Sequence, residues 1–313
     1  MLFLQSWLED YIDLKHTSSQ QLAELITMKS SEVEEVTVVT DYYGGKVLVG
    51  QIRNLRPHPE ADKLNIFDVY LGSDQSSVVI VSAAINVREG LFVPIAMVGT
   101  QLAFFKVGVR KLRGVESHGI CLGRSELMLE TQMSSGLWEL EKEINKVGKN
   151  PQEILGMSIC EVLPAYFPAQ TVMDIKILPD KIGQAGNHLG MALEIASCLE
   201  NMNYLTPRAQ YLLNSADINT ELEVNPVPTS QEIAVEFQDN TGYTNSFNTY
   251  QLQLTSEFIL PHSLQLRMML TNHNLIATPA DLSNYLLADV GQPTHFFDTD
   301  KVKIAGVETQ NKY

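Results

Sequence analysis

The densest chemistry in this 313-residue sequence is a cationic run, Lys106–Arg113, where Lys106, Arg110, Lys111 and Arg113 interleave with Val107, Val109 and Leu112. Ammonium and guanidinium groups at this spacing neutralise phosphates, so the chemistry on offer is recognition of a polyanion rather than bond-making. Read as a strand, the run puts Lys106 and Arg110 on one face and Lys111 and Arg113 on the other. Two readings stand: an RNA-facing surface to which Arg53 adds, or an edge strand kept soluble by its charges. The stretch Pro57-His58-Pro59-Glu60-Ala61-Asp62-Lys63-Leu64 reads as a solvated loop between strands. Gly44-Gly45-Lys46 lacks the rest of a P-loop, no GxGxxG occurs, and no His/Cys ligand set clusters in the sequence. No metal site and no cofactor bound by this chain are therefore expected. Gly183, Gly186 and Gly190 read as turn and cap residues ahead of a helix rather than a phosphate cradle.

Charge is unevenly shared. The whole chain carries −15, which by itself argues against nucleic acid. Between Lys46 and Gly119, however, nine basic residues face six acidic ones, a local +3, which leaves −18 on the rest. From Asn214 to Asp300 a single basic residue, Arg267, stands against eleven carboxylates. Three scattered cysteines, Cys121, Cys160 and Cys198, fit a reducing compartment and buried thiols. Met1–Leu14 carries no basic leader, and no apolar run reaches the roughly 18 residues a membrane span requires, so a cytoplasmic chain without membrane contact is expected.

The elements that must position the cations follow from periodicity. Leu2–Leu14 has helical spacing, as does Ser19–Met28 behind Thr17-Ser18; Val33–Val39 is a strand and Asp41–Gly45 a turn. Short strands at Val47–Leu55, Leu64–Leu71, Val78–Ser82, Phe92–Val98 and His118–Leu122, separated by turns, predict a small barrel. Leu137–Phe167 is irregular, like a connector. Beyond it lie a strand at Met173–Leu178, a helix over about Asn187–Met202 with Leu189, Ala192, Ile195, Ala196 and Leu199 inward, strands at Ile233–Phe237 and Thr249–Leu254, and helices at Ser263–Thr271 and Asp281–Val290.

These pieces resemble a known family. "PHPEADKL", "AAINVREGLFVPIAMVGT" and "KLRGVESHGI" are similar to the OB-type, tRNA-binding-like domain of the bacterial phenylalanyl-tRNA synthetase beta subunit. "LQSWLEDYIDLKHTSSQQLAELITMKSSEVEEV", "LGMALEIASCL" and "LSNYLLADVGQPTHFFDTDKV" resemble, in order, its amino-terminal segment, the helix completing that domain, and the middle of its editing domain. The chain departs from the usual Cys-Gly at Ser82-Ala83, carries Ser283 where a threonine is usual, and has Pro179-Asp180-Lys181-Ile182 in place of the usual turn.

The resemblance implies an α+β chain: an amino-terminal α/β domain (1–44 with 173–203), an OB-type barrel inserted into it (45–162), a connector (163–172) and a partial editing-type domain (204–313). It implies an alpha-subunit partner whose docking module is absent here, weak tRNA contact, and ATP and magnesium held by the holoenzyme, whose aminoacylation chemistry lies in that partner. It places Ser283, Asn284 and His295 in an editing-type pocket, where they would bind the ester or terminal ribose and orient the 3′ end or a water. From residue type alone, Asn284 reads equally as a helix residue and His295 as a satisfied turn histidine. The family's acceptor for a tyrosine hydroxyl falls past Tyr313, so the chain alone is expected not to edit. Since full family members are well over twice this length, the chain reads as an excised fragment or a shortened homologue. A free-standing tRNA-binding module and a trans-editing hydrolase are the alternatives.

Overall fold

A computed structural model of the chain describes residues 1–72, 77–130, 136–214 and 260–298, with positions 252 and 258. The chain opens with β1 (Leu2–Leu4), α1 (Gln5–Leu8), α2 (Ser19–Lys29) and β2 (Val33–Val39). Seven strands follow: β3 (Val47–His58), β4 (Ala61–Tyr70), β5 (Val78–Ser82), β6 (Phe92–Met97), β7 (Arg110–Leu112), β8 (Val115–Ser117) and β9 (Gly119–Cys121). Then come α3 (Glu141–Val147), α4 (Ile159–Val162), β10 (Gln170–Ile175), α5 (Ile182–Ala185), α6 (His188–Cys198), α7 (Pro207–Asn214), α8 (His262–Leu270) and α9 (Ala280–Val290).

The antiparallel sheet β1-β10-β2 draws together segments from opposite sides of the barrel in sequence. The helix predicted from Leu2 starts later, because Leu2–Leu4 pair with Val172–Asp174 of β10 and only Gln5–Leu8 turn helical. A ladder partner supplied from 170 residues away overrides local spacing. α2 begins as its sequence dictates: the Ser18 hydroxyl takes the Gln21 N–H and the Gln21 side chain returns to the Ser18 N–H, a reciprocal capping box. Phe3, Trp7, Leu8 and Tyr11 share a core with Ile26, Met173, Ile195, Met268, Tyr285 and Ala288, so α8 and α9 pack on the same interior as the first dozen residues. On α6, Leu189 and Leu199 are only half-buried; His188, Met191 and Cys198 take the inward places with Ala192, Ile195 and Ala196.

The five-stranded antiparallel sheet runs β5-β4-β3-β6-β9 and curls until its two ends nearly meet. His118 N–H donates to the Val79 carbonyl at 3.0 Å and Val81 N–H to the Ser117 hydroxyl at 3.1 Å across that seam. Its interior is apolar, with Ile52, Phe67, Val69, Ile80, Val93 and Ile95 drawn from successive strands. Gly50 is required there, because a Cβ would stand 2.2 Å from Val69 Cγ1.

Residues 137–167 are not a connector. They form the layer that seals the barrel's outer face, burying Trp138, Ile144, Ile154 and Ile159 against Val47, Val49, Phe92 and Ala96. Backbone bonds clip the layer down, from Leu140 N–H to Phe92 O at 3.0 Å and from Val49 N–H to Met157 O at 2.9 Å. This explains why Phe92–Ala96 is an unbroken buried run: alternate side chains enter the barrel or meet the covering layer.

Candidate nucleic-acid interface

Three hairpins line one rim of the barrel. The first is the tip between β3 and β4. The sequence reads 57–64 as a loop, yet β3 runs on to His58 and β4 resumes at Ala61, leaving Pro59-Glu60 as the turn. The second is β7–β8, paired Arg110↔Ser117, Lys111↔Glu116 and Leu112↔Val115. The third spans 99–107, closed by Gly99 N–H to Val107 O and Val107 N–H to Thr100 O, each 2.8 Å, with a bridge between Gln101 and Lys106. The cationic run is therefore split between two hairpins instead of forming one strand. Gly108 and Val109 join them, and Arg113 occupies a turn with φ of 43°.

Specific contacts bind the three hairpins into one surface. His58, 5% exposed, brings Nε2 to 3.2 Å from the Leu112 carbonyl oxygen and accepts the Glu60 N–H on Nδ1 at 3.1 Å. Arg113 Nη1 donates to the Glu60 carbonyl at 3.0 Å, a second tie between the same two tips. The Arg110 guanidinium lies 6.0 Å from the centre of the Phe105 ring, linking β7 to the 99–107 hairpin. Lys106, Arg110, Lys111 and Arg113 are all exposed, and Lys63 is exposed beside the first tip. Glu60, Asp62 and Glu116 temper the field, and Glu116 also meets His118 at 3.5 Å.

Arg53 is not part of this rim. It is half-buried on the barrel wall, its guanidinium 3.7 Å above the Tyr70 ring and bonded to Gln51 Oε1 at 2.9 and 3.1 Å. Four strand residues lie between it and His58, a reach of roughly 16 Å. Arg56 is likewise engaged, with Asn54 O at 2.9 Å and Asp68 at 3.8 Å. Reasoning from sequence missed His58, because a histidine inside a proline-rich loop carries no signal that it will be buried.

The second predicted group lies on and after α9. Asp281 fixes the start of this helix by accepting the Ile276 and Ala277 N–H groups at 2.8–3.2 Å. The far end is tied to the core by Asp289 and stops at Gly291, whose φ is 75°. Ser283 donates its hydroxyl to the Thr294 carbonyl at 2.9 Å and accepts the Thr294 hydroxyl at 3.1 Å, which brings Ser283 beside the neighbour of His295. Asn284 is exposed, and His295, also exposed, meets the Phe297 ring edge-on at 4.5 Å. The predicted strand Ile233–Phe237 lies outside the described residues, as does Thr249–Leu254 apart from Leu252.

Among the described residues no group of His, Cys, Asp and Glu is arranged to hold a metal ion, and no helix is long and apolar enough to cross a membrane. Gly190 is a packing glycine, since a Cβ there would fall 1.7 Å from the Gln184 carbonyl oxygen. Cys121, Cys160 and Cys198 are free and buried, and burial pushes the Cys160 thiol up to about 11.

A nearly closed antiparallel barrel with a cationic rim is the kind of module that grips nucleic acid, and residues 47–149 match the family model described as "Putative tRNA binding domain". The chain as a whole is a homologue of phenylalanine–tRNA ligase beta subunits and corresponds to their amino-terminal part. It is 29% identical over 302 residues to the one from Bacillus cereus, a match covering 95% of this chain. It is 30% identical over 311 residues to that of Oceanobacillus iheyensis and 30% over 308 residues to that of Bordetella bronchiseptica, each covering 96% of this chain. The chain spans about a third of the length of the curated relatives it matches, 34% in these three cases. The solved C-terminal domain of Plasmodium vivax p43 aligns with 26% of this chain and 48% of its own at 22% identity, with a TM-score of 0.21.

Proposed function

We propose that the chain serves as the scaffolding and tRNA-handling part of a phenylalanine–tRNA ligase beta subunit, its OB-type barrel turning the three-hairpin rim toward the tRNA backbone. The observation that carries this reading is the coupling of Lys106, Arg110, Lys111 and Arg113 into one surface through the His58, Arg113 and Arg110 contacts. Flexible surface lysines could meet phosphates one at a time; cations on mutually fixed hairpins meet several at the spacing the backbone offers. Attachment of phenylalanine with ATP and magnesium falls to the alpha-subunit partner, in the cytoplasm. The α9 region, with Ser283, Asn284 and His295, belongs to a proofreading element.

The rim's small excess of positive charge within a −15 chain implies weak binding with a steep salt dependence. About four phosphate contacts give a slope of log K against log salt near −3. In the test, tRNA binding by the full chain is titrated at low salt beside an Arg110→Glu/Lys111→Glu variant. The expected result is loss of most of the affinity and a flatter salt slope. Unchanged binding in the variant would remove the rim from the interface. Deacylation of mischarged tyrosyl-tRNA by the chain alone, abolished by His295→Ala, would instead favour a trans-editing hydrolase.

A further inference from the structure

The cationic rim has an aromatic corner that charge does not explain. Phe104 sits at the apex of the 99–107 hairpin, where Leu102 N–H donates to Phe105 O at 2.9 Å and leaves Ala103-Phe104 as the turn. Leu102 is fully buried and Phe105 packs against the sealed outer face of the barrel, whereas Phe104 is 41% exposed. The ring is thus presented on a short turn whose neighbours on both sides anchor it. Exposed Lys106 follows two residues later, and Arg110 lies against the Phe105 ring on the adjoining hairpin.

We infer that Phe104 is a stacking platform for an unpaired nucleobase, with Lys106 and Arg110 holding the phosphates on either side of it. This deepens, and rests on, the RNA-handling reading of the same rim. Its chemistry selects a single strand. A base in a duplex keeps both faces stacked on its neighbours and offers the protein only phosphates and groove edges, while a splayed base offers a free π-face to the ring. An acidic protein partner could use the same cations, but it has no need of an aromatic face; the flanking pair of cations favours the nucleic acid.

The experiment compares the chain with its Phe104→Ala, Phe104→Leu and Phe104→Tyr variants, binding single-stranded oligouridine and an RNA duplex of equal length at low salt. Phe104→Ala and Phe104→Leu should each weaken oligouridine binding about tenfold, and Phe104→Tyr should retain it. Duplex affinity, the salt slope and the melting temperature should hold in all three, since the ring is exposed and uncharged. Equal oligouridine affinity in wild type and Phe104→Ala overturns the inference while leaving the RNA-handling reading standing. Full binding by Phe104→Leu also overturns it, because the contact would then be merely apolar. Failure of the unaltered chain to bind either RNA defeats the underlying reading. Displacement of RNA by a polyglutamate peptide, with Phe104→Ala silent, would make the rim a protein-docking face.

Discussion

His58 fastens Leu112 to the opposite hairpin: its Nε2 reaches the Leu112 carbonyl oxygen at 3.2 Å while Nδ1 receives the Glu60 N–H at 3.1 Å. A nitrogen that accepts cannot also carry the proton, so the hydrogen sits on Nε2 and is donated to Leu112. One buried ring thereby satisfies two backbone groups that belong to different hairpins.

His58→Ala should therefore cost about 1–3 kcal/mol of stability, since it removes both of the ring's backbone bonds and leaves a cavity where the buried ring stood. Amide exchange should rise first in Arg110–Ser117, the hairpin that loses its tie, and tRNA affinity should fall although no formal charge has been removed. Exchange that rises uniformly across the barrel would show that His58 supports the fold at large and not the register of the rim.

A buried carboxylate ties α9 to the start of the chain. Asp289, 2% exposed, accepts Trp7 Nε1–H at 2.7 Å, the Tyr11 hydroxyl at 2.5 Å and Arg208 Nη2–H at 3.1 Å. Burial, reinforced by the hydrogen bond to Asp289, holds the Tyr11 phenol well above its usual range. Nearby, Arg267 grips Asp10 with both terminal nitrogens, at 2.6 and 3.0 Å. Asp289→Ala leaves the indole and phenol donors without an acceptor and should lower stability by about 3 kcal/mol; Asp289→Asn keeps an acceptor for both and should lose less than half of that. Urea unfolding of the two variants separates them. Equal losses would mean that charge, not acceptance, holds α9 in place.

The barrel strands were legible because apolar, β-branched residues recur along them and turn residues bracket them; all five predicted strands form, at Val47–His58, Ala61–Tyr70, Val78–Ser82, Phe92–Met97 and Gly119–Cys121. The capping box at Ser18 and Gln21 and the Gly291 stop are equally local, and those helices fall where their sequences place them. What could not be read depends on distant partners. Leu2–Leu4 are a strand only because β10 arrives from residue 170 onward, and 137–167 looks irregular because its segments bond to barrel edges rather than to one another. At the rim the residue types showed a cluster of cations but not how the hairpins would arrange them. Nothing local distinguishes His58 as a fastener, separates Arg53 from the other cations by its stacking on Tyr70, or exposes Phe104 while burying Leu102.

The clearest pH dependence belongs to His188. Its ring, 1% exposed, stacks on Trp7 with centroids 3.7 Å apart, presents Nδ1 to the Ala288 carbonyl at 2.9 Å and accepts the Leu4 N–H on Nε2 at 3.3 Å. A carbonyl only accepts, so Nδ1 carries the proton, and the neutral ring is satisfied on both sides. A second proton would turn Nε2 against the Leu4 N–H and place a charge in a site closed to solvent. Burial accordingly drives its pKa down to about 3, from an ordinary 6.5. A base whose folded pKa is depressed stabilises the fold fully above the unfolded value and loses that contribution as pH falls toward the folded one. Stability should decline through pH 6.5 to 5 by about 2 kcal/mol from this residue, ahead of the bulk of carboxylate protonation. His188→Gln should be less stable at pH 7 but nearly flat across that window when urea midpoints are plotted against pH. A variant that keeps the wild-type slope would move the titration to another group.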